Sequence, residues 1–175
     1  MAIEPDTKDW TWVLDRPCPE CGFEAAAFER TDVGAMIRAS VREWERLLSD
    51  PGARDRSVPD RWSALEYACH VRDVFRLYDD RLVLMLTDDD PEFANWDQDA
   101  TAVADRYGEQ APVVVAAELA AAGEALAASF DALGKDQWTR TGRRSDGASF
   151  TVESFARYFV HDPIHHVHDV ETAAG

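Results

Sequence analysis

The sequence predicts an all-α protein built as a four-helix bundle, with long connecting loops and an extended N-terminal arm. Apolar residues recur at three- and four-residue steps in four separate stretches, which is the period of an amphipathic helix. Almost no alternating, strand-like pattern competes with them, so the helices are expected to pack on one another. The length of 175 residues and the 46% hydrophobic content suffice for one domain with a substantial core.

The first 30 residues show no sustained periodicity, and we predict that they form an arm packed on a bundle of residues 31–175. The arm contains the sequence Cys18-Pro-Glu-Cys21-Gly. A Cys-x-x-Cys pair is half of a zinc-ribbon spacing, and no second pair follows it in the sequence. A packed or exposed arm is therefore favoured over a metal site for these thiols, and both interpretations stay open.

The first two helices have recognisable beginnings. Thr31 and Asp32 offer N-cap chemistry to the first helix, whose apolar stripe ends before a Pro-Gly pair at 51–52. Ser63 and Glu66 have the spacing of a capping box, which predicts that the second helix begins there and continues to a run of aspartates.

The second half of the chain is expected to contain two more helices. Residues 91–111 form a long connection with one helical turn. Pro112 suits the first position of the third helix, which Gly134 closes. Ser149 or Thr151 then caps a fourth helix, which continues through a histidine-rich stretch.

The charge of the chain excludes several functions. Its net charge of −16 argues against affinity for phosphate backbones or anionic membrane surfaces. No uncharged run approaches the ~18 residues that span a bilayer, and the acidic N-terminus does not resemble a signal peptide. Three cysteines, an odd number, agree with a reducing compartment. These features predict a cytoplasmic protein that binds neither nucleic acid nor membranes.

All five histidines fall in two places, His70 alone and four more between His161 and His168. On a helix, about 100° of rotation per residue brings His165 and His168 to the face of His161, while His166 points elsewhere. Two histidines four residues apart offer two nitrogens to one transition metal and need a third ligand from a distant segment. His70 is the candidate for that third ligand.

Other residues of this region are expected to support such a site. His168 is better placed to orient a ligand imidazole than to bind the metal, and Asp73 or Asp169 can hold an imidazole through its second nitrogen. Pro163 removes the amide that would bond to the carbonyl of Phe159, which predicts a kink or a restart of the helix. The alternative is a metal-free bundle in which the histidines only pack or face solvent.

Arg140, Arg143 and Arg144 form the dense basic cluster of the C-terminal half. They are candidates to bind an anionic group of a substrate, although such a cluster is more often a solvated loop. Two other metal motifs fail on the sequence. His161-Asp-x-x-His165 lacks the glutamate of zinc proteases, and the Glu-x-x-His pairs of di-iron bundles do not occur at these histidines.

Two segments resemble the DinB/YfiT-like family of metal-dependent enzymes. They are Trp62-Ser-Ala-Leu-Glu-Tyr-Ala-Cys-His70-Val-Arg-Asp73 and Tyr158-Phe-Val-His161-Asp-Pro-Ile-His165-His166, and the resemblance spans roughly residues 31–171. It implies a four-helix bundle, often dimeric, with one divalent metal held by three histidines.

By position, the resemblance implies the ligands His70, His161 and His165. Zinc is favoured as the metal, with nickel and iron as alternatives. The family includes thiol S-transferases that use bacillithiol or mycothiol and mycothiol-dependent maleylpyruvate isomerases, which implies a low-molecular-weight thiol such as mycothiol as cosubstrate. This chain departs from the family pattern at Pro163, at Ile164 and in the cysteine-containing arm.

The expected function follows from the site and from the resemblance. Three neutral imidazoles with an open fourth position are typical of a catalytic metal site. We expect a thiol-dependent S-transferase or isomerase that acts on a small electrophilic substrate, because a metal keeps a bound thiol in its nucleophilic form. The alternatives are a metal-dependent hydrolase and a non-catalytic metal-binding or interaction module with a filled coordination sphere.

Overall fold

A computed structural model of the protein describes residues 9–173. In this part of the chain the four-helix bundle is formed by α1 (Val33–Leu48), α2 (Ala64–Thr87), α4 (Pro112–Asp131) and α5 (Val152–Ala173). A short helix, α3 (Gln98–Ala104), lies in the connection between α2 and α4. Both α4 and α5 pack against α1 and α2, so the prediction of a four-helix bundle is confirmed.

The predicted beginnings of the helices are largely present. Ser63 caps α2 and Glu66 reaches back to the Ser63 amide at 2.8 Å, which completes the capping box. Pro112 occupies the first turn of α4. The Ser154 amide donates to Thr151 Oγ1 at 3.1 Å before the first turn of α5. Asp32 lies at the N-cap position of α1 but makes no capping hydrogen bond with its side chain.

A small sheet that the sequence did not predict joins the two halves of the chain. Strand β1 (Glu92–Phe93) pairs in parallel with β2 (Thr141–Arg144), which pairs antiparallel with β3 (Ser149–Thr151). Strands of two to four residues are too short to show an alternating pattern, which explains the failure of the prediction. The sheet fixes the turn between β2 and β3 beside α5.

The N-terminal arm lies along α5 from residue 9 onward. It begins with a 3₁₀-helix, Trp10–Leu14, that contacts α5. Val13 and Cys18 are buried, and the Arg157 guanidinium of α5 donates to backbone carbonyls of the arm, including that of Phe28 at 2.9 Å. The arm is therefore part of the folded core, and it brings its two cysteines to the histidine-bearing helix.

Helix α4 has the length and a mean hydropathy, 1.6, that would allow it to cross a membrane. Core helices of globular proteins meet the same criteria. Here α4 packs against α1 and α2, and its two glutamates form ion pairs with the bundle at 2.8 Å, Glu118 with Arg72 and Glu124 with Arg38.

Candidate metal centre

A cavity of about 1010 Å³ opens beside the first half of α2, between the N-terminal arm, the segment 95–100 and α5. Its described walls are strongly acidic, with seven carboxylate residues against two arginines, Arg61 and Arg144. Three tryptophans supply apolar surface, one from the arm, one before α2 and one before α3. They are Trp10, Trp62 and Trp96.

Three residues that can bind a metal meet at one side of this cavity: His70 from α2, and Asp162 and His166 from α5. The Oδ2 atom of Asp162 lies 3.4 Å from His70 Nε2 and 3.7 Å from His166 Nε2. Asp162 and His166 line the cavity, whereas His70 is 1% exposed and lies behind them. The cluster therefore has one fully buried member and two members that a ligand in the cavity can reach.

Neighbouring side chains fix the orientation of both imidazoles. His70 stacks on Trp96, with ring centroids 5.4 Å apart, and contacts Trp62 on another side at 5.5 Å. His166 Nδ1 lies 2.9 Å from Asp169 Oδ2, which assigns the Nδ1 proton to this hydrogen bond and places the lone pair of the ring on Nε2. That lone pair points toward Asp162, as a metal ligand would require.

The Asp162 carboxylate is ionised in this environment. Burial alone would raise its pKa, but the imidazoles of His70 and His166 outweigh burial and lower the pKa to about 2. Its Oδ1 atom, like His70 Nδ1, is buried without a hydrogen-bond partner among residues 9–173. Asp162 therefore places one oxygen, Oδ2, between two imidazoles and has a second oxygen, Oδ1, without a partner in the described part of the chain. An ionised carboxylate together with two imidazole nitrogens can serve as the ligand set of a cation.

A second cluster lies on the adjacent face of α5. Cys18 and Cys21 from the arm and His161 and His165 from α5 place one candidate ligand atom each within 4.8 Å of one another. Burial lowers the pKa of His161 to about 4, so this imidazole is neutral near pH 7 and has a lone pair available. The pKa of His165 is lowered as well, again chiefly by burial.

The predicted ligand set of His70, His161 and His165 is divided between these two clusters. His161 and His165 lie one turn apart on one face of α5, as the helical spacing predicted, and this face meets the arm. Asp162 and His166 are each one residue further along, so they face about 100° away, toward α2 and His70. The geometry thus favours His70, Asp162 and His166 as one ligand set.

The spacing in this first cluster fits a metal. Nitrogen and oxygen ligands about 2.0–2.1 Å from a tetrahedral zinc ion lie about 3.4 Å apart. The distances from Asp162 to the two imidazoles, 3.4 and 3.7 Å, agree with that value within a few tenths of an ångström. The residues present therefore fit a divalent metal without rearrangement of the helices.

A family model described as the DinB superfamily matches residues 35–170, more than half of the chain. The chain belongs to the DinB superfamily. The solved structure of YfiT from Bacillus subtilis, described as a probable metal-dependent hydrolase with an unusual four-helix bundle topology, matches it with a TM-score of 0.68. That match has 17% sequence identity and covers 99% of this chain and 92% of YfiT, so it shows a shared fold. No curated protein matches the sequence.

Of the three residues expected to support the metal site, Asp73, His168 and Asp169, only Asp169 contacts an imidazole of the first cluster. Asp169 does hold an imidazole, that of His166. Asp73 instead pairs with Arg72 and accepts a hydrogen bond from the Tyr107 hydroxyl at 2.6 Å. His168 packs its ring 6.3 Å from that of His165 and belongs to neither cluster.

The three arginines predicted to bind substrate are separated by the fold. The Arg140 guanidinium donates to the Met85 carbonyl at the end of α2, and Arg143 pairs with Asp90 at 2.9 Å, so neither lines the cavity. Arg144 does line it, with its guanidinium 2.6 Å from Asp146.

Sequence reasoning missed two members of the first cluster. Helical rotation places His166 away from the face of His161, and Asp162 stands where zinc proteases have a glutamate, so neither residue is predicted as a ligand from the sequence. The signal was present in the sequence, because Asp162 and His166 are also four residues apart and so share a helix face. A pattern of paired histidines alone does not include this mixed pair.

Proposed function

We propose that the protein is a metal-dependent enzyme in which His70, Asp162 and His166 hold one divalent cation, preferably zinc. The enzyme transfers a low-molecular-weight thiol, of the mycothiol type, to a small electrophilic substrate. The observation that carries this proposal is the cluster of three candidate ligands beside a cavity of about 1010 Å³. Three protein ligands next to open space are typical of catalytic metal sites, whereas structural sites supply four.

The chemistry of the bound metal would be that of a Lewis acid, which keeps a thiol in its nucleophilic thiolate form near neutral pH. Asp162 would contribute the negative charge of the ligand set, and the two histidines would bind the metal through neutral imidazole nitrogens. The hydrogen bond from His166 Nδ1 to Asp169 holds that ring in the required tautomer. The stacking of His70 on Trp96 fixes its ring plane.

The size and the walls of the cavity support the binding of a small, polar molecule. Pockets for drug-sized ligands occupy roughly 300–1,000 Å³, so the volume of this cavity is at the upper end of that range. The carboxylates of the wall accept hydrogen bonds from hydroxyl groups, and the tryptophan rings pack against apolar faces. These walls suit a polar, hydroxyl-rich thiol better than a strongly anionic one.

Arg144 is the predicted arginine that remains a candidate for substrate binding. Its guanidinium donates to the Tyr158 hydroxyl at 3.0 Å and pairs with Asp146, which holds it at the cavity wall. A carboxylate on the electrophile would compete with Asp146 for this group. We expect Arg144→Ala to raise KM with little change in kcat, and Arg143→Ala, outside the cavity, to leave both unchanged.

The test is an assay of thiol consumption with mycothiol and a chromogenic electrophile such as chlorodinitrobenzene. Metal-loaded protein should show turnover that is lost on chelation, regained on adding zinc, and absent in Asp162→Asn. Equal turnover after chelation would contradict the metal-dependent mechanism.

The same ligands also suit hydrolysis by a metal-activated water, and YfiT is described as a probable metal-dependent hydrolase. Hydrolysis is therefore the second candidate. In an ester or amide substrate panel, metal-dependent turnover that needs no thiol would support the hydrolase and exclude the transferase.

A further inference from the structure

The N-terminal arm and α5 contribute two pairs of candidate ligands to one place. Cys18 and Cys21 are separated by two residues, and His161 and His165 by three. A Cys-x₂-Cys pair combined with a His-x₃-His pair is a typical ligand set of structural zinc sites. Neither pair alone indicates such a site, and the structure brings them within 4.8 Å of one another across more than 130 residues of sequence.

The cysteines lie in a tight turn that points both thiols the same way. The Gly22 amide donates to the Cys18 carbonyl at 2.9 Å, and the Cys18 amide donates to the Phe23 carbonyl at 2.8 Å. Gly22 has a φ of +73°, a conformation that favours glycine. The turn is therefore closed by its own backbone hydrogen bonds and holds both thiols against α5 without further support.

The distances agree with a shared metal ion. Cys18 Sγ lies 3.7 Å from His165 Nδ1. For a zinc ion with bonds of about 2.3 Å to sulfur and 2.0–2.1 Å to nitrogen, a tetrahedral arrangement places these atoms about 3.6 Å apart. His161 Nε2 is buried and has no hydrogen-bond partner among residues 9–173, so a buried donor atom of this cluster is otherwise unsatisfied.

The second nitrogen of His165 has the partners that a metal-bound imidazole usually has. His165 Nε2 lies 3.6 Å from Glu20 Oε2 and 3.7 Å from Asp169 Oδ1. Carboxylates on the far side of a ligand imidazole fix its tautomer and leave the other nitrogen to bind the metal. In this arrangement Nδ1 faces the sulfur of Cys18 and Nε2–H faces the carboxylates.

We propose that Cys18, Cys21, His161 and His165 form a closed, tetrahedral zinc site that fastens the N-terminal arm to α5. Two thiolates balance the charge of one Zn²⁺, so the buried cluster is neutral when it is filled. The site is separate from the His70 cluster and does not depend on the proposed function, because its four positions are all occupied by the protein. Its role is structural.

The site also shapes the cavity. Trp10 packs on both histidines, with ring centroids 5.3 Å from His161 and 4.9 Å from His165, and it lines the cavity together with Glu20. Both residues belong to the arm that the zinc ion would fasten. Filling this site therefore sets one wall of the cavity in which the other cluster lies.

The proposal can be tested by cobalt substitution of the full chain, purified without a polyhistidine tag. Thiolate ligands give bound Co²⁺ an intense charge-transfer band in the near ultraviolet, which histidine and carboxylate ligands do not. We expect this band in the wild-type protein and in the variant His70→Ala/His166→Ala, in which the first cluster is disabled. We expect its loss in Cys18→Ser/Cys21→Ser.

Cys69→Ser is the matched control, because Cys69 is buried in α2, where its thiol lies 3.8 Å from the Tyr107 carbonyl. It should keep the band and about one Zn²⁺ per chain at the four-ligand site. Thiol labelling of the native wild-type protein provides a test without mutation, since zinc should protect Cys18 and Cys21 until a chelator is added. Absence of the charge-transfer band, its persistence in Cys18→Ser/Cys21→Ser, or equal labelling of Cys18 and Cys21 before and after chelation would each overturn the proposal.

Discussion

The imidazole of His166 is held between two carboxylates of its own helix. Asp169, one turn later, accepts from its Nδ1 at 2.9 Å, and Asp162, one turn earlier, lies 3.7 Å from its Nε2. The Asp169 carboxylate orients the ring, and the Asp162 carboxylate lies on the side of the ring that carries the Nε2 lone pair. This geometry makes His166 the residue on which the assignment of the metal ligands depends.

We predict that His166→Ala abolishes metal binding at the cavity cluster, and that Asp169→Asn weakens it by about 10- to 100-fold. The measurement is a competition titration against a chromophoric chelator, in a Cys18→Ser/Cys21→Ser background so that thiolates do not contribute. His168→Ala is the control, since His168 lies on the same helix outside both clusters. If His168→Ala weakens binding as much as His166→Ala, the assignment is wrong.

Glu66 makes a different contribution, to stability. Its carboxylate accepts from the Ser63 amide and forms a paired contact with the Arg56 guanidinium, in which Nε lies 2.8 Å from Oε2. Burial would raise the pKa of Glu66, but Arg56 and the Ser63 amide outweigh burial, and the pKa lies below its usual 4.5. The stabilisation is therefore present above pH 4.5 and is lost as the pH falls through the lowered pKa.

We predict that Glu66→Gln lowers the free energy of unfolding by about 2 kcal/mol at pH 7, because it weakens both the capping box and the ion pair. The difference from wild type should shrink when urea unfolding is repeated near pH 3. Glu109→Gln is the control, because Glu109 and its partner Arg106 are both mostly exposed. A difference that stays constant with pH would contradict the role of the Glu66 charge.

At the scale of elements, α4 approaches its neighbours through a glycine. A Cβ atom at Gly123 would lie 2.4 Å from Val41 Cγ2 and 3.0 Å from a ring atom of Phe75. Both neighbours are core residues of α1 and α2, so neither can move freely. The close packing of three helices depends on the missing side chain.

We predict that Gly123→Ala destabilises the protein by about 1 to 2 kcal/mol, since the clash exceeds the gain in helix propensity. Gly134→Ala, which has an ordinary contact of 3.5 Å at the helix end, should change stability by less than about 0.5 kcal/mol. Chemical denaturation of both variants provides the comparison. A stabilised Gly123→Ala would show that the helices can separate at this point.

The helices could be predicted from the sequence because their information is local. The capping box at Ser63 and the first-turn position of Pro112 are read from neighbouring residues alone. The strands and the contact between the arm and α5 depend on partners that are distant in sequence. No pattern among neighbouring residues therefore predicts them. Pro163 does not interrupt α5, so the predicted restart of the helix is not present. Both pairs of candidate ligands therefore keep the faces that the spacing of a continuous helix gives them.

At the scale of the whole molecule, the long helix α5 carries two candidate metal sites on adjacent faces. Its histidines are clustered in the sequence, and this clustering predicts a metal site on the helix. The sequence could not show that one pair faces the arm and that the other face meets His70, because this depends on the rotation of α5 within the bundle. The excess of carboxylates in the cavity wall also became visible only when distant segments were brought together.

Metal binding to the folded state should stabilise the molecule as a whole. At a free metal concentration 100 times the Kd, linkage contributes about 2.7 kcal/mol, which raises Tm by roughly 5 to 10 °C for a chain of this size. We predict this difference between zinc-saturated and chelated protein in a thermal melt. Identical melting curves would show that neither cluster binds the metal.

The position of the metal is tested most directly by anomalous diffraction at the absorption edge of zinc, on crystals of the zinc-loaded protein. We predict an anomalous peak between His70 Nε2, Asp162 Oδ2 and His166 Nε2. A peak shared by His70, His161 and His165, or the absence of density between His70 and Asp162, would contradict the account.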